Sequence, residues 1–175
     1  LGKIRAARLT GKIAVRHGMF EDVPEADERV DVVWSQDAFL HSDQRDKVLA
    51  EAWRVLKPGG HLIFTDPMQA DEVESGLLQP VYDRLQLNSL GSPRFYRETA
   101  EALGFETLEQ EDAVGDLRMH YDRVREEMLA NYDRLRDAGV TVEYLDKMAI
   151  GLENWVKAAD AGHLAWGIQH FRKPE

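Results

Sequence analysis

The sequence predicts an α/β fold built on a mostly parallel sheet. Three observations carry that prediction. The early order of apolar runs and helical patterns is β-α-β, which joins parallel strands. The run at residues 30–35 (VDVVWS) is short, β-branched and aromatic, the pattern of a buried strand. Lys57-Pro58-Gly59-Gly60 then divides a helical pattern from the apolar run at residues 61–65 (HLIFT), because proline cannot continue a helix and glycine allows the positive φ of a cap or turn.

The elements follow in order. Residues 1–9 read as the tail of an amphipathic helix, with Ile4 and Leu9 apolar among Lys3, Arg5 and Arg8. Residues 12–16 (KIAVR) make a short strand and residues 18–24 (GMFEDVP) a loop. Residues 42–56 form a helix with Val48, Ala52 and Val55 in one stripe. Residues 71–90 are polar and partly helical, interrupted by Gly76 and Pro80. Residues 93–103 suit a helix with proline in its first turn and Gly104 after its end. Residues 105–114 read as a strand with exposed acidic positions. Leu117, Tyr121, Val124, Met128, Tyr132 and Leu135 recur every three or four residues, so one long amphipathic helix runs to Gly139. Tyr144, Met148, Leu152, Trp155 and Ala159 mark another helix, and residues 163–171 (HLAWGIQHF) a closing strand.

The 175 residues suffice for one domain with a substantial core. Apolar residues make up 43% and charged residues 31%, and no stretch reaches the ~18 apolar residues of a membrane helix, so no membrane partner is expected. Acidic residues outnumber Lys plus Arg by 32 to 22. That balance repels phosphate backbones, so nucleic acid is not an expected partner either. Without cysteine there are no disulfides, thiolate metal sites or cysteine nucleophiles. This fits a cytoplasmic location. Homo-oligomerisation stays open.

Chemistry-bearing residues gather where strands end. In WSQDAFLH a strand ends at Ser35, and Asp37 and His41 are four residues apart. If a helical turn begins there, both side chains face one way at the carboxyl end of a strand, where ligands of open α/β sheets bind. A carboxylate near an imidazole fixes its tautomer and raises its basicity. The same spacing also describes Asp37 capping a helix with His41 in a structural pocket. FTDPMQAD has the same geography: Thr65 and Asp66 end a strand, and Pro67-Met68 bends the chain across the strand ends. Asp66 could simply satisfy loop amides there. In GMFEDVP the backbone amides could bind a base with Phe20 against its ring, or Phe20 could tuck into the core. Trp34, Tyr121, Trp155 and Trp166 are core candidates that could also receive a methylated ammonium. The remaining histidines show no metal spacing, and no metal is expected.

GMFEDVP, VDVVWSQDAFLHS and VLKPGGHLIFTDPMQAD together resemble the second half of a class I S-adenosylmethionine-dependent methyltransferase. SQDAFLHS with TDPMQAD, and the tail GLENWVKAADAGHLAWGIQHFRK, are similar to the sarcosine/dimethylglycine N-methyltransferases of glycine betaine synthesis, so the resemblance covers essentially the whole chain. The implied fold class is α/β, the C-terminal part of a Rossmann-like class I methyltransferase sheet with added substrate-side helices and an antiparallel last strand. Residues 1–175 would be one methyltransferase domain, with the Gly-rich cofactor loop and two strands expected before Leu1. Residues 12–16 would then lack a neighbour and leave a sheet edge bare.

The resemblance also implies roles. The cofactor is S-adenosylmethionine, with Met19 and Phe20 at its adenine and Ser35 and Gln36 near its methionine moiety. Asp37 and His41 match a pair beside the amine. Pro67 and Met68 stand where glycine-preferring relatives carry an arginine for the substrate carboxylate, so a more methylated amine is expected. Arg94 or Arg97 would then hold the carboxylate, and Tyr121 and Trp166 would complete the substrate site. Phosphoethanolamine-type relatives put a lysine where this chain has Ala165. The expected reaction is N-methylation of sarcosine and/or dimethylglycine, a small amino-acid substrate. A phosphoethanolamine-type or other small-molecule methyltransferase, and a non-catalytic ligand- or partner-binding fragment, are the alternatives.

Overall fold

The computed structural model describes residue 3, residues 11–74 and residues 76–175. The expectation for residues 1–9 therefore falls outside the described residues, apart from Lys3. The sheet has four strands: β1 (Val30–Gln36), β2 (Leu56–Gln69), β3 (Glu106–Gln110) and β4 (Leu164–Arg172), in the order β1-β2-β4-β3. β1 and β2 are parallel, and β4 runs antiparallel to both of its neighbours, as expected of the last strand.

The β-α-β unit forms because α1 (Arg45–Val55) buries Val48, Leu49, Ala52 and Val55 against the sheet. β2 alternates: Leu62, Phe64, Asp66 and Met68 face inward, and His61, Ile63 and Thr65 are less buried. α3 (Pro93–Leu103) covers the same face with Tyr96 and Ala100. Pro93 occupies its first turn, as the sequence predicts, and Ser92 caps it by accepting from the Phe95 amide at 3.1 Å. Phe39, Leu56, Phe105 and Phe171 complete this core. Each large buried side chain contributes about 1.5–3 kcal/mol to folding.

The remaining helices are α2 (Gln79–Leu85), α4 (Val114–Ala130), α5 (Tyr132–Asp137) and α6 (Val142–Asp160), and a second core lies under α2, α4 and α6. Leu40, Leu78, Val81, Leu90, Leu117, Trp155 and Leu164 meet there, with Tyr121 and Trp166 packed against them. This layer sits over the carboxyl ends of β1 and β2.

Four expectations need correction. Residues 12–16 form no strand and are exposed. A lone strand leaves its backbone groups unpaired, and no strand among the described residues pairs with it. The helix expected at 42–56 starts at Arg45, because residues 39–41 take a separate 3₁₀ turn. Residues 57–60 do not merely stop a helix: they form an irregularity inside β2, whose Leu56 pairs with Val30 and His61 with Val32. Gly59 N–H donates to the Lys173 carbonyl at 2.8 Å, and Lys173 N–H to the Gly60 carbonyl at 2.8 Å, tying this segment to the C-terminal tail. Finally, the helix expected to run to Gly139 is interrupted at Asn131, whose amide side chain bonds back to the Glu127 carbonyl at 2.8 Å.

β1 is an edge strand, with Val32 51% and Trp34 67% exposed. No helix among the described residues is long and apolar enough to cross a membrane, and none of their His, Asp and Glu side chains form a metal-holding group of three or more.

Candidate functional site

Because β1 and β2 are parallel, both end at one edge of the sheet, with Gln36 beside Thr65. Asp37 follows immediately. Its N–H donates to the Thr65 carbonyl at 2.9 Å, and its φ is +48°. A non-glycine residue in this left-handed region is uncommon, and Asp is among the side chains that tolerate it. The turn aims the carboxylate across the strand ends. Its Oδ1 accepts from Thr65 Oγ1 and from Trp166 Nε1, each at 2.9 Å.

Trp166 reaches Asp37 because β4 is antiparallel, so its start lies beside the end of β2, with Trp166 opposite Pro67. The chain leaving β3 clamps this point: Ala113 N–H donates to the Trp166 carbonyl at 2.7 Å and Glu111 N–H to that of Ile168 at 2.9 Å. Between them, Gly167 leaves no room for a side chain, since a Cβ would lie 1.7 Å from the Glu111 carbonyl oxygen.

The next turn, Phe39–His41, hangs on Asp66. Asp66 is fully buried, accepting from the Leu40 amide at 3.0 Å and from Tyr96 Oη at 2.7 Å. Burial pushes its carboxyl up to about 7, against the lowering effects of those hydrogen bonds and of the Arg45 charge. Arg45 is also buried and bonds to the Leu40 carbonyl at 2.9 Å, the Ser89 carbonyl at 2.7 Å and Ser89 Oγ at 3.0 Å. His41 itself is exposed.

On the other side of Asp37 stands an aromatic wall. Tyr121 of α4 packs on Trp155 of α6 with ring centroids 4.7 Å apart, and the Arg84 guanidinium lies over Tyr121 at 5.0 Å from the ring centroid. Burial raises the Tyr121 hydroxyl; the Arg84 charge lowers it and the Asp37 charge raises it again.

The loop after residue 17 is bound to α1. Arg54 donates to the Val23 carbonyl at 2.9 Å and the Glu25 carbonyl at 2.8 Å, and Glu51 accepts from the Val23 amide at 2.9 Å. The Arg54 guanidinium bonded to Glu51 holds that carboxyl below its usual range. Phe20 is thereby placed edge-on to Phe39, 6.0 Å between centroids. It borders an apolar cleft of about 180 Å³ with Trp34, Ser35 and Phe39.

Residues 2–64 match the family model described as a methyltransferase domain. The chain is 49% identical over 166 residues to the sarcosine/dimethylglycine N-methyltransferase of Aphanothece halophytica, covering 95% of this chain and 60% of that protein. It is 46% identical to the dimethylglycine N-methyltransferase of Parasynechococcus marenigrum, covering 96% and 60%. It superposes on a crystal structure from Galdieria sulphuraria described as a sarcosine dimethylglycine methyltransferase with a TM-score of 0.92 and 37% identity, over 99% of this chain and 64% of that one. The chain has a class I methyltransferase fold. It spans about 60% of the length of the two curated relatives.

Within the methyltransferase fold, Asp37 meets Trp166, and Tyr121 and Trp166 pack against the same core. His41 is nearby on its turn, but Asp37 accepts from Thr65 and Trp166 rather than from the His41 ring. Phe20 and Ser35 border the cleft, whereas Met19 is 66% exposed and bridges Asp22, and Gln36 is exposed at the end of β1. Pro67 is buried opposite Trp166. Met68 is 1% exposed within the main core and pairs with Ala165. The two candidate arginines are engaged elsewhere. Arg94 pairs with Glu72 at 2.9 Å and Asp71 at 4.0 Å, and Arg97 donates to Gln110 Oε1 at 3.2 Å. Three residues of the arrangement escaped the sequence reading: Thr65 as a partner of Asp37, Tyr96 as a partner of Asp66, and Arg84. The first two depend on strand register and helix packing. The third is one of 22 Lys plus Arg with no motif around it.

Proposed function

We propose that the intact protein carrying this chain methylates the nitrogen of sarcosine and dimethylglycine, with S-adenosylmethionine as donor and glycine betaine as the end product. Residues 1–175 serve as the amine-binding part of its methyltransferase domain. The observation that carries this reading is the Asp37 carboxylate, fixed by Thr65 and Trp166 beside the aromatic wall at the strand ends. The similarity to the betaine-forming relatives supports it.

The residues present fit the donor. A cleft between β1 and α1, apolar and closed by Phe20, suits the flat face of a base, and Ser35 and Gln36 lie at the strand end beside it. Met19 and Phe20 would hold the adenine and Ser35 and Gln36 the methionine end. When bound, the donor supplies an electrophilic methyl group on a sulfonium.

The chain's own residues do the rest. Asp37 and the indole of Trp166 face an amine whose positive charge grows as the new N–C bond forms. A fixed carboxylate and aromatic faces both stabilise that charge. The amine must shed its proton before its lone pair can react, and His41, on the adjoining turn, is the group to accept it. The helices α2, α4 and α6 pack beside the strand ends, where Asp37 is exposed, and would align the amine and carboxylate there.

The substrate ranking tests this. With isotopically labelled S-adenosylmethionine, sarcosine and dimethylglycine should accept methyl faster than glycine, and phosphoethanolamine should accept none, because Ala165 offers no cation to a phosphate. Transfer to phosphoethanolamine at a comparable rate would move the protein to the phosphobase-type reading. Absence of transfer to any amine would leave a ligand-binding domain.

A further inference from the structure

We propose that Arg84 grips the carboxylate of the amino-acid substrate, a role that rests on the reading given under Proposed function. A zwitterionic amino acid needs an anion near its nitrogen and a cation near its carboxylate. Asp37 is the first. The second is reached through the aromatic residues: Trp166, whose indole bonds to Asp37, packs on the same core as Tyr121, and the Arg84 guanidinium lies over the Tyr121 ring, 5.0 Å from its centroid.

The placement of Arg84 is built into two helices. It sits in the last turn of α2, and its stem crosses α6 at Gly151. A Cβ at Gly151 would lie 2.8 Å from Arg84 Cδ and 2.9 Å from Cγ, so the helix keeps its least favourable non-proline residue at the crossing point. The guanidinium then lies over the Tyr121 ring.

Its bonding is incomplete. Arg84 Nε is buried with no hydrogen-bond partner. Among the described residues Arg84 forms no ion pair, as Arg29, Arg45, Arg97, Arg123 and Arg134 form none. In a chain with 32 acidic residues, a half-buried guanidinium left without a carboxylate is placed for one that arrives. Arg45 is not an alternative, since its fully buried guanidinium is committed to Leu40 and Ser89. Arg84 also borders a cleft of about 420 Å³ between α2 and α6, so it is reachable from solvent. Guanidinium and carboxylate match as a planar, bidentate, charge-assisted pair.

The test compares dimethylglycine with its methyl ester, which keeps the amine and removes the negative charge. It uses the intact protein as wild type, Arg84→Met and Arg84→Lys. A charge-assisted hydrogen bond corresponds to a loss of about 10- to 100-fold when removed. Arg84→Met should raise KM for dimethylglycine by that factor, leave KM for the ester and for S-adenosylmethionine unchanged, and so abolish discrimination between acid and ester. Arg84→Lys, which keeps the stem and charge, should restore part of it, and serves also if Arg84→Met does not fold. Equal losses for acid and ester, or an unchanged KM for the acid, overturn the assignment while wild-type transfer to dimethylglycine leaves the broader reading standing. A wild type that methylates neither compound defeats both.

Discussion

His41→Ala should lower kcat by about 10²- to 10⁴-fold while leaving S-adenosylmethionine affinity unchanged. His41 ends the 3₁₀ turn at the carboxyl edge of β1 and is exposed, and its N–H is fixed to the Ala38 carbonyl at 3.2 Å. Dimethylglycine is protonated in solution, and the protonated nitrogen has no lone pair to offer. If His41 takes that proton, the His41→Ala rate is low and follows only the free amine, whereas the wild-type rate does not depend on the free amine alone. If it merely shapes the pocket, the loss is small and parallel at every pH. Turnover per folded molecule across the pH range separates these outcomes. Equal turnover in wild type and His41→Ala throughout would remove His41 from the chemistry.

The second large effect is on stability. Asp66 is fully buried, and its folded pKa of about 7 lies well above the unfolded value of about 3.9. Between those values the folded protein binds the proton more tightly than the unfolded chain. Stability from this group is therefore present below about pH 4, falls as pH rises through the window, and is flat above about 7. The shift corresponds to a fall of up to about 4 kcal/mol. Asp66→Asn keeps the shape and removes the titration, so its stability should lack that fall and exceed wild type at pH 8. Asp66→Ala should be destabilised at every pH, by about 1–3 kcal/mol for each of the two groups left unpaired, the Leu40 amide and the Tyr96 hydroxyl. Urea denaturation from pH 4 to 8 reads all three proteins. An unchanged pH slope in Asp66→Asn would show that another group titrates. Because Leu40 lies in the turn that carries His41, Asp66→Ala should also blur the position of the imidazole.

The sequence reveals the sheet well where strand and helix are linked by short, punctuated segments. The strand expected at 30–35 and the helices expected at 42–56 and 93–103 are found at 30–36, 45–55 and 93–103, and the signals behind them, apolar periodicity with proline and glycine punctuation, are local. It fails at residues 12–16, where the apolar pattern is adequate but a strand also requires a neighbour. It fails again at Asn131, where one amide side chain bonding backward outweighs a continuous stripe. At the candidate site, Trp166 lies 129 residues after Asp37 in sequence but bonds to it in the fold; chain order hides that proximity, and antiparallel β4 creates it. The expected Asp37–His41 partnership rested on helical spacing. The left-handed turn at Asp37 redirects its carboxylate to Thr65 and Trp166 instead. Arg94 and Arg97 are candidates for the carboxylate on the sequence, yet their partners Asp71, Glu72 and Gln110 become visible only once α3 is packed.

The central claim is that Asp37, held by Thr65 and Trp166, is the fixed anion of an amine-methylating site. The measurement that tests it most directly is methyl transfer from labelled S-adenosylmethionine to dimethylglycine by the intact protein, wild type against Asp37→Asn, at saturating donor. The side chains are nearly isosteric, so the comparison removes the charge and little else. The account predicts that wild type forms glycine betaine and that Asp37→Asn lowers kcat by about 10²-fold, the scale of losing one preorganised electrostatic partner of the transition state, with donor affinity retained. Equal kcat in the two proteins, or no labelled betaine from wild type, would contradict it.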